Sequence, residues 1–177
     1  MKLKSRKLTG GQAAVKSLKK EKVKHVFGLI GSATMEMFDA LYHEKQIKFI
    51  DVRDERTGTH MADGYARASN QPGVIIAGQN GPGATNLVTG LAQAKAAFSP
   101  VISLAGLYST KDKMDDAFQG LDQQSLFEPV TKKTFTLNKS KNIPKVISDG
   151  FKTAMSPRRG PVCVNLPRNL LAEKNNY

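Results

Sequence analysis

The sequence predicts an α/β domain, an open parallel sheet of about six strands with helices on both faces. Three observations carry this. Short apolar runs rich in Val and Ile recur at residues 23–30, 47–52, 73–79, 101–106 and 161–166. Segments of helical spacing lie between them. Glycine-bearing turns, Gly31-Ser32-Ala33 and Asn80-Gly81-Pro82-Gly83, stand where a strand hands over to a helix. Strands and helices alternating at this spacing give parallel strands covered on both sides. In such a sheet, ligands sit in the crevice at the carboxyl ends of the strands.

Taken in order, residues 1–8 read as a basic tail, 9–169 as one folded domain and 170–177 as a polar stretch that begins a linker. Thr9 is a capping residue for a helix over 10–20, with Ala13, Ala14, Val15 and Leu18 on its inner face. Residues 23–30 are the first strand, with His25 beside it as a surface or packed histidine. A helix over 34–44 follows, with Met35, Phe38 and Leu41 assigned to its buried face and Glu36 and Asp39 outward. Residues 47–52 form a short strand. Thr57, Met61, Tyr65 and Ala68 share one face of a helix over 54–69.

Residues 73–79 (G-V-I-I-A-G-Q) are apolar up to the closing glutamine and read as a buried parallel strand. The helix over 84–97 runs through Leu87, Leu91 and Ala94 and breaks at Ser99-Pro100. A strand at 101–106 leads into an irregular stretch, 107–120, expected as a loop at the ligand end of the sheet. Lys111, Asp112, Lys113, Asp115 and Asp116 crowd there, but without metal-ligand spacing. A short helix at 123–128 precedes a strand at 130–137, placed at an edge where lysines discourage stray pairing. The helix over 142–155 turns Ile143, Val146, Ile147, Phe151 and Ala154 inward and tolerates Pro144 in its first turn. Residues 161–166 are the last strand.

A chain of 177 residues can bury a real core as a single domain. The single cysteine, Cys163, excludes an intrachain disulfide and a cysteine zinc site, and its apolar surroundings fit a buried structural thiol. The net charge of +12 raises a nucleic-acid hypothesis. The distribution argues against it, since residues 26–130 hold eight basic and twelve acidic residues and no recognition motif accompanies the charge. Lysine-rich helix surfaces account for the remainder, with attraction of an anionic partner or substrate as a second consequence. No apolar run reaches the roughly 20 residues of a membrane span. No secretory signal is legible, so the cytoplasm is the expected compartment.

Two places carry candidate chemistry. Asp54 and Glu55 fall in a first helical turn, where acids complement the helix dipole. A carboxylate at that end of the sheet can instead meet a ligand. Gly81-Pro82-Gly83 permits a sharp turn and close approach of a ligand to the backbone. It has neither the G-x-G-x-x-G of a dinucleotide fold nor the lysine of a P-loop. Gly31-Ser32-Ala33 repeats the strand–glycine–helix design, as a ligand contact or as a plain turn capped by Ser32.

Together, R-D-E-R-T-G-T-H-M-A-D-G-Y-A-R and G-Q-N-G-P-G-A-T-N resemble the pyrimidine-binding (Pyr) domain of thiamine-diphosphate enzymes of the acetolactate synthase and pyruvate oxidase type. The likeness runs over about residues 8–169. Within the family, residues 27–33, 78–83 and 165–168 look most like sulfoacetaldehyde acetyltransferase. Acetolactate synthases usually show Pro-Gly-Gly at the first of these and Ser-Gly-Pro-Gly at the second.

The resemblance implies that thiamine diphosphate supplies a thiazolium carbanion. Glu55 would hydrogen-bond the pyrimidine ring nitrogen and promote the imino tautomer. Gly31, Asn80, Pro82 and Asn86 would join it as cofactor contacts, and Gln119 would face the reacting centre. Ile30, Ser32 and Phe118 would be substrate contacts. Gly120 stands where the family's Phe-Gln-Glu has its glutamate. Mg2+ and the diphosphate would be held by a second domain bearing Gly-Asp-Gly, a motif this sequence lacks. That implies a diphosphate-binding domain in trans or further along a longer chain, and a homodimer or tetramer through the Pyr domain. The expected reaction converts sulfoacetaldehyde and phosphate to acetyl phosphate and sulfite. Alternatives are an acetolactate synthase, a subunit of a two-chain 2-oxoacid decarboxylase, and a catalytically silent dimerising domain.

Overall fold

A two-residue strand, β1 (Leu8–Thr9), and a helix, α1 (Gly10–Lys20), lead into the main sheet of the computed structural model, which describes residues 7–177. There follow β2 (His25–Leu29), α2 (Met35–His43), β3 (Lys48–Asp51), α3 (Glu55–Ser69), β4 (Gly73–Ala77), α4 (Pro82–Ala96) and β5 (Val101–Leu107). The second half contains α5 (Gln123–Phe127), β6 (Lys133–Thr136), α6 (Ile143–Met155), β7 (Val162–Pro167), α7 (Arg168–Ala172) and β8 (Lys174–Asn175). Six strands form one sheet in the order β3-β2-β4-β5-β7-β6, and every pairing in it is parallel. The expected fold class is observed, with β6 at an edge.

The handedness of the crossovers decides which face each helix covers. Moving from β2 to β3 and from β6 to β7 steps one way across the sheet; moving from β3 to β4 to β5 steps the other way. Right-handed connections therefore send α2 and α6 to one face and α3 and α4 to the other. Alternation along the strands serves both. Val26, Val74, Ile76, Ile102, Leu104, Val162 and Val164 pack with α1, α2 and α6. Phe27, Ile75, Ala77, Val101, Ala105 and Cys163 pack with α3, α4 and Phe127. Burial pushes the Cys163 thiol up to about 12, as expected of an inert core cysteine.

Thr9 caps α1 through a full capping box with Gln12. The same region departs from the expected boundaries. Leu8, placed in the basic tail, pairs antiparallel with Asn175, and residues 168–175 form α7 and β8 where a linker was expected to begin. Gly10 donates its amide to the Glu173 carbonyl, which fastens the two ends together. Residues 1–6 of the expected tail lie outside the described residues.

Two helical faces also differ. A 3-10 turn over Ser32–Thr34 advances the chain before α2, so Met37 joins Phe38 and Leu41 in the core and Met35 is exposed. In α3 the buried residues are Glu55, Gly58, Thr59, Ala62, Asp63 and Ala66. Thr57, Met61 and Ala68 lie on the outer side, with Tyr65 half-buried. Small residues face inward because α3 approaches both the sheet and α4 closely: a Cβ at Gly58 would stand 2.6 Å from Ile75 Cδ1, and one at Gly90 2.5 Å from the Thr59 Cβ.

Parallel topology sorts the charge by end. The C-termini of α1, α2, α3, α4 and α6 and the starts of the six strands of the main sheet lie at the end of the sheet opposite the crevice. Lys19, Lys20, Arg67, Lys95 and Lys152 occupy last helical turns there. Lys22, Lys24, Lys132, Arg158 and Arg159 occupy the turns that lead into strands. The excess positive charge is thus a basic pole as well as a property of helix surfaces.

Candidate functional site

Strand order reverses direction at β2, whose neighbours β3 and β4 both follow it in sequence. The crevice at such a switch point is where open α/β sheets take ligands. The chains leaving β2 and β4 touch here, and the Ala33 amide donates to the Gly78 carbonyl at 2.9 Å. A Cβ on Gly31 would lie 2.5 Å from the Gly78 carbonyl, and one on Gly78 would lie 2.2 Å from the Gly31 nitrogen. Neither position admits a side chain, so both turns stay in place only as glycine.

Glu55 opens α3 at this end, after Asp54 caps the helix by accepting from the Arg56 amide at 2.7 Å. The Glu55 side chain does not point to solvent as a helix-dipole acid would; it is 3% exposed. Its Oε2 accepts from Asn86 Nδ2 at 3.0 Å, and Oε1 stands 3.0 Å from where a Cβ on Gly83 would lie. The carboxylate is therefore held against the Gly81-Pro82-Gly83 bend. Pro82 is the first residue of α4 and exposed, where its missing N–H costs nothing.

A second group of polar contacts joins this bend to the 118–123 stretch. Asn80, 5% exposed, donates through Nδ2 to the carbonyls of Phe118 and Gln119, both at 2.8 Å. Gln79 donates to Gln119 Oε1 at 2.7 Å and accepts from Ser32 Oγ at 2.9 Å. Ser32 makes no capping bond, so it belongs to this network and not to a helix start. Gln119 adopts a left-handed conformation (φ 56°) over Gly81 (φ 60°). A Cβ on Gly81 would strike the Gln119 carbonyl at 2.6 Å.

The structure thus gathers Gly31, Ser32, Glu55, Asn80, Pro82, Asn86 and Gln119 at one end of the sheet. Ile30 and Phe118 are 55% and 78% exposed, flanking the crevice with apolar surface. Gln79 escaped the sequence reading, although it lies inside the motif that drew attention. Arg168, Tyr108 and Asp112 also line the small cleft beside Ser32, Asn80 and Phe118. Tyr108 and Asp112 belong to the loop that follows β5 and Arg168 opens α7, so no local pattern joins all three. Among the described residues no group of His, Cys, Asp and Glu could hold a metal ion, and no helix is long and apolar enough to cross a membrane.

Residues 8–126 match the family model described as thiamine pyrophosphate enzyme, N-terminal TPP binding domain. The chain belongs to this family. Thiamine pyrophosphate and thiamine diphosphate are the same compound. Relatives of this TPP binding domain include a probable acetolactate synthase large subunit of Methanococcus aeolicus, 43% identical over 163 residues that make up 92% of this chain and 27% of the relative. The counterpart in Methanocaldococcus jannaschii is 44% identical, with the same coverage of both chains. The acetolactate synthase isozyme 3 large subunit of Escherichia coli is 40% identical over 95% of this chain and 29% of its own length. The chain therefore spans less than a third of the length of these relatives. Their names favour acetolactate synthase, the alternative drawn from the sequence, over sulfoacetaldehyde acetyltransferase.

Proposed function

We propose that this TPP binding domain supplies the pyrimidine-binding half of a thiamine-diphosphate site in an enzyme of acetolactate-synthase type. One observation carries the reading: a carboxylate, Glu55, is buried at the switch-point crevice and held against a glycine bend. A buried carboxylate is costly unless it is paired and hydrogen-bonded. Among the described hydrogen bonds, Asn86 is its one side-chain donor. A ring N–H or protonated ring nitrogen is the complementary partner, so the residues present fit the cofactor. When bound, thiamine diphosphate supplies the carbanion chemistry.

This chain's residues then have distinct tasks. Glu55 holds or gives up a proton at the ring nitrogen. Asn86 fixes the orientation of that carboxylate. Gly31, Asn80 and Pro82 shape the walls, and Gln119, held by Gln79, presents its amide to the reacting centre. Ile30, Ser32 and Phe118 border the substrate. The diphosphate and Mg2+ belong to a domain contributed by the rest of a longer chain or by a partner, in a homodimer or tetramer of the cytoplasm.

Sulfoacetaldehyde acetyltransferase remains a second reading because of two positions. Asn80 replaces the serine usual in acetolactate synthases and ties down the 118–119 backbone. Gly120 replaces a glutamate, and a Cβ there would stand 1.9 Å from the Met114 carbonyl. The loop is built for glycine, and a residue usual at an acetolactate centre is missing.

The test combines the domain with its diphosphate-binding domain and compares Glu55→Gln with the parent. Turnover is expected to fall at least about a hundredfold, the scale of a positioned proton-transfer group. Undiminished turnover would remove Glu55 from the mechanism. Acetolactate formation against sulfite release separates the two substrate readings.

A further inference from the structure

Gln123 is the point where buried polar groups of four separate segments meet. It is the first residue of α5 and 1% exposed. Its Oε1 accepts from the buried Gly81 amide at 3.3 Å. Its Nε2 donates to the Gly106 carbonyl at 3.1 Å and to Asn165 Oδ1 at 3.0 Å. Asn165, also 1% exposed, donates onward to Thr136 Oγ1 at 3.2 Å, and Thr136 donates to Gln124 Oε1 at 2.9 Å.

The polarity of this chain is fixed. The Gly81 N–H can only donate and the Gly106 carbonyl can only accept, so the Gln123 amide has one allowed orientation. Asn165 must then present its oxygen to Gln123 and its nitrogen to Thr136. Flipping either amide would set donor against donor or acceptor against acceptor inside the core, where unpaired groups are costly. Asp122 anchors the other end by capping α5, accepting from the Ser125 amide at 3.1 Å and its hydroxyl at 2.6 Å. The Ser125 hydroxyl, and then its amide, hold the Asp122 carboxyl below the usual range.

We propose that Gln123 is a positioning residue that sets the Gly81 turn and, through it, the candidate site. Glycine at position 81 leaves the turn without side-chain constraint, and its conformation must be imposed from outside. Asn80 and Gln119 secure the turn from the crevice side, and Gln123 secures it from the core side. The 118–123 stretch thereby becomes a clip with the turn held between its two ends. Loss of Gln123 frees Gly81, and the errors pass to Asn80, Gln119 and the Gly83 seat beneath Glu55. The functional consequence rests on the function proposed above; the clip does not.

Native-state hydrogen exchange on the full chain tests the clip. Gln123→Leu keeps the bulk and removes the amide. The Gly81 amide should exchange about tenfold faster, the scale of one net hydrogen bond, while amides in the middle of β4 keep their rates. Equal Gly81 exchange in variant and parent overturns the proposal. Gln123→Glu retains an acceptor for Gly81 but sets a carboxylate against two acceptor oxygens. The Gly81 amide resonance should therefore shift as that carboxyl titrates, and no shift overturns the proposal even if the leucine variant fails to fold. In the enzyme completed by its diphosphate-binding domain, Gln123→Leu should raise the KM for thiamine diphosphate at least about fivefold, more than it lowers kcat. A faster-exchanging Gly81 with full turnover in both Gln123→Leu and Glu55→Gln upholds the clip and removes the proposed function.

Discussion

Asn80→Asp replaces a buried amide by a group of the same shape and opposite hydrogen-bonding character. In the parent, Nδ2 gives two hydrogen bonds of 2.8 Å to main-chain carbonyls. An ionised carboxylate would face the same two oxygens with no proton to offer. Two lost bonds at ~1 kcal/mol each, plus desolvation of a misplaced charge, give a deficit of roughly 3–4 kcal/mol at neutral pH. For a domain of this size, about 1 kcal/mol moves Tm by roughly 2–4 °C, so the loss should reach roughly 6–16 °C. The pH dependence is the sharper signature. A carboxyl in this place is favoured protonated, so its folded pKa is raised above the unfolded value of about 3.9. Its stability contribution is then present below that unfolded value and is lost as pH rises through the folded pKa. Urea unfolding at several pH values should show variant and parent converging toward pH ~4 and diverging toward neutrality. A deficit below about 1 kcal/mol, or one that does not vary with pH, would refute the assigned amide orientation and the tie between Asn80 and the 118–119 backbone.

Other expectations concern the fold. Cys163 should resist thiol reagents at pH 8 in the native state and react only as fast as the chain opens; rapid labelling would contradict its burial. Because its pKa rises from 9.0 to about 12, it contributes stability below pH 9.0 that is progressively lost toward pH 12, which an alkaline titration of unfolding would register. Thr9→Ala removes one half of the capping box and should cost about 1 kcal/mol in denaturant unfolding, with negligible change arguing that the α1 start is held by other contacts. Asp63 is 5% exposed and paired with Arg67 at 2.9 and 2.7 Å. Arg67→Ala should therefore destabilise more than the double variant with Asp63→Ala, because the single change leaves a buried carboxylate alone; a larger loss in the double variant would negate this.

The central strands β4, β5 and β7 were legible because parallel strands buried on both faces are apolar runs rich in Val and Ile. The helices were legible in extent but less so in phase. In α2, three residues of 3-10 turn shifted the buried methionine from Met35 to Met37. In α3, the stripe of larger residues pointed outward because close approach to the sheet selects Gly58 and Ala62, and close approach to α4 selects Thr59, on the inner side. Glu55 and the Gly81 bend could be read from position at strand ends. The roles of Gln79 and Gln123 could not, since an amide in a loop or short helix carries no periodic signal and acquires meaning only from distant partners. The pairing of β1 with β8 rests on two residues at each end, below what any pattern resolves.

Among the described residues, the segregation of charge along the strand direction makes an electric dipole whose positive end is directed away from the crevice. On a sulfonated or phosphate-bearing support at low ionic strength, the protein should adsorb by that end and leave the Glu55 side open to the solution. At 0.15 M salt, where fields fade over about 8 Å, this orientation should relax, so elution and accessibility would change together.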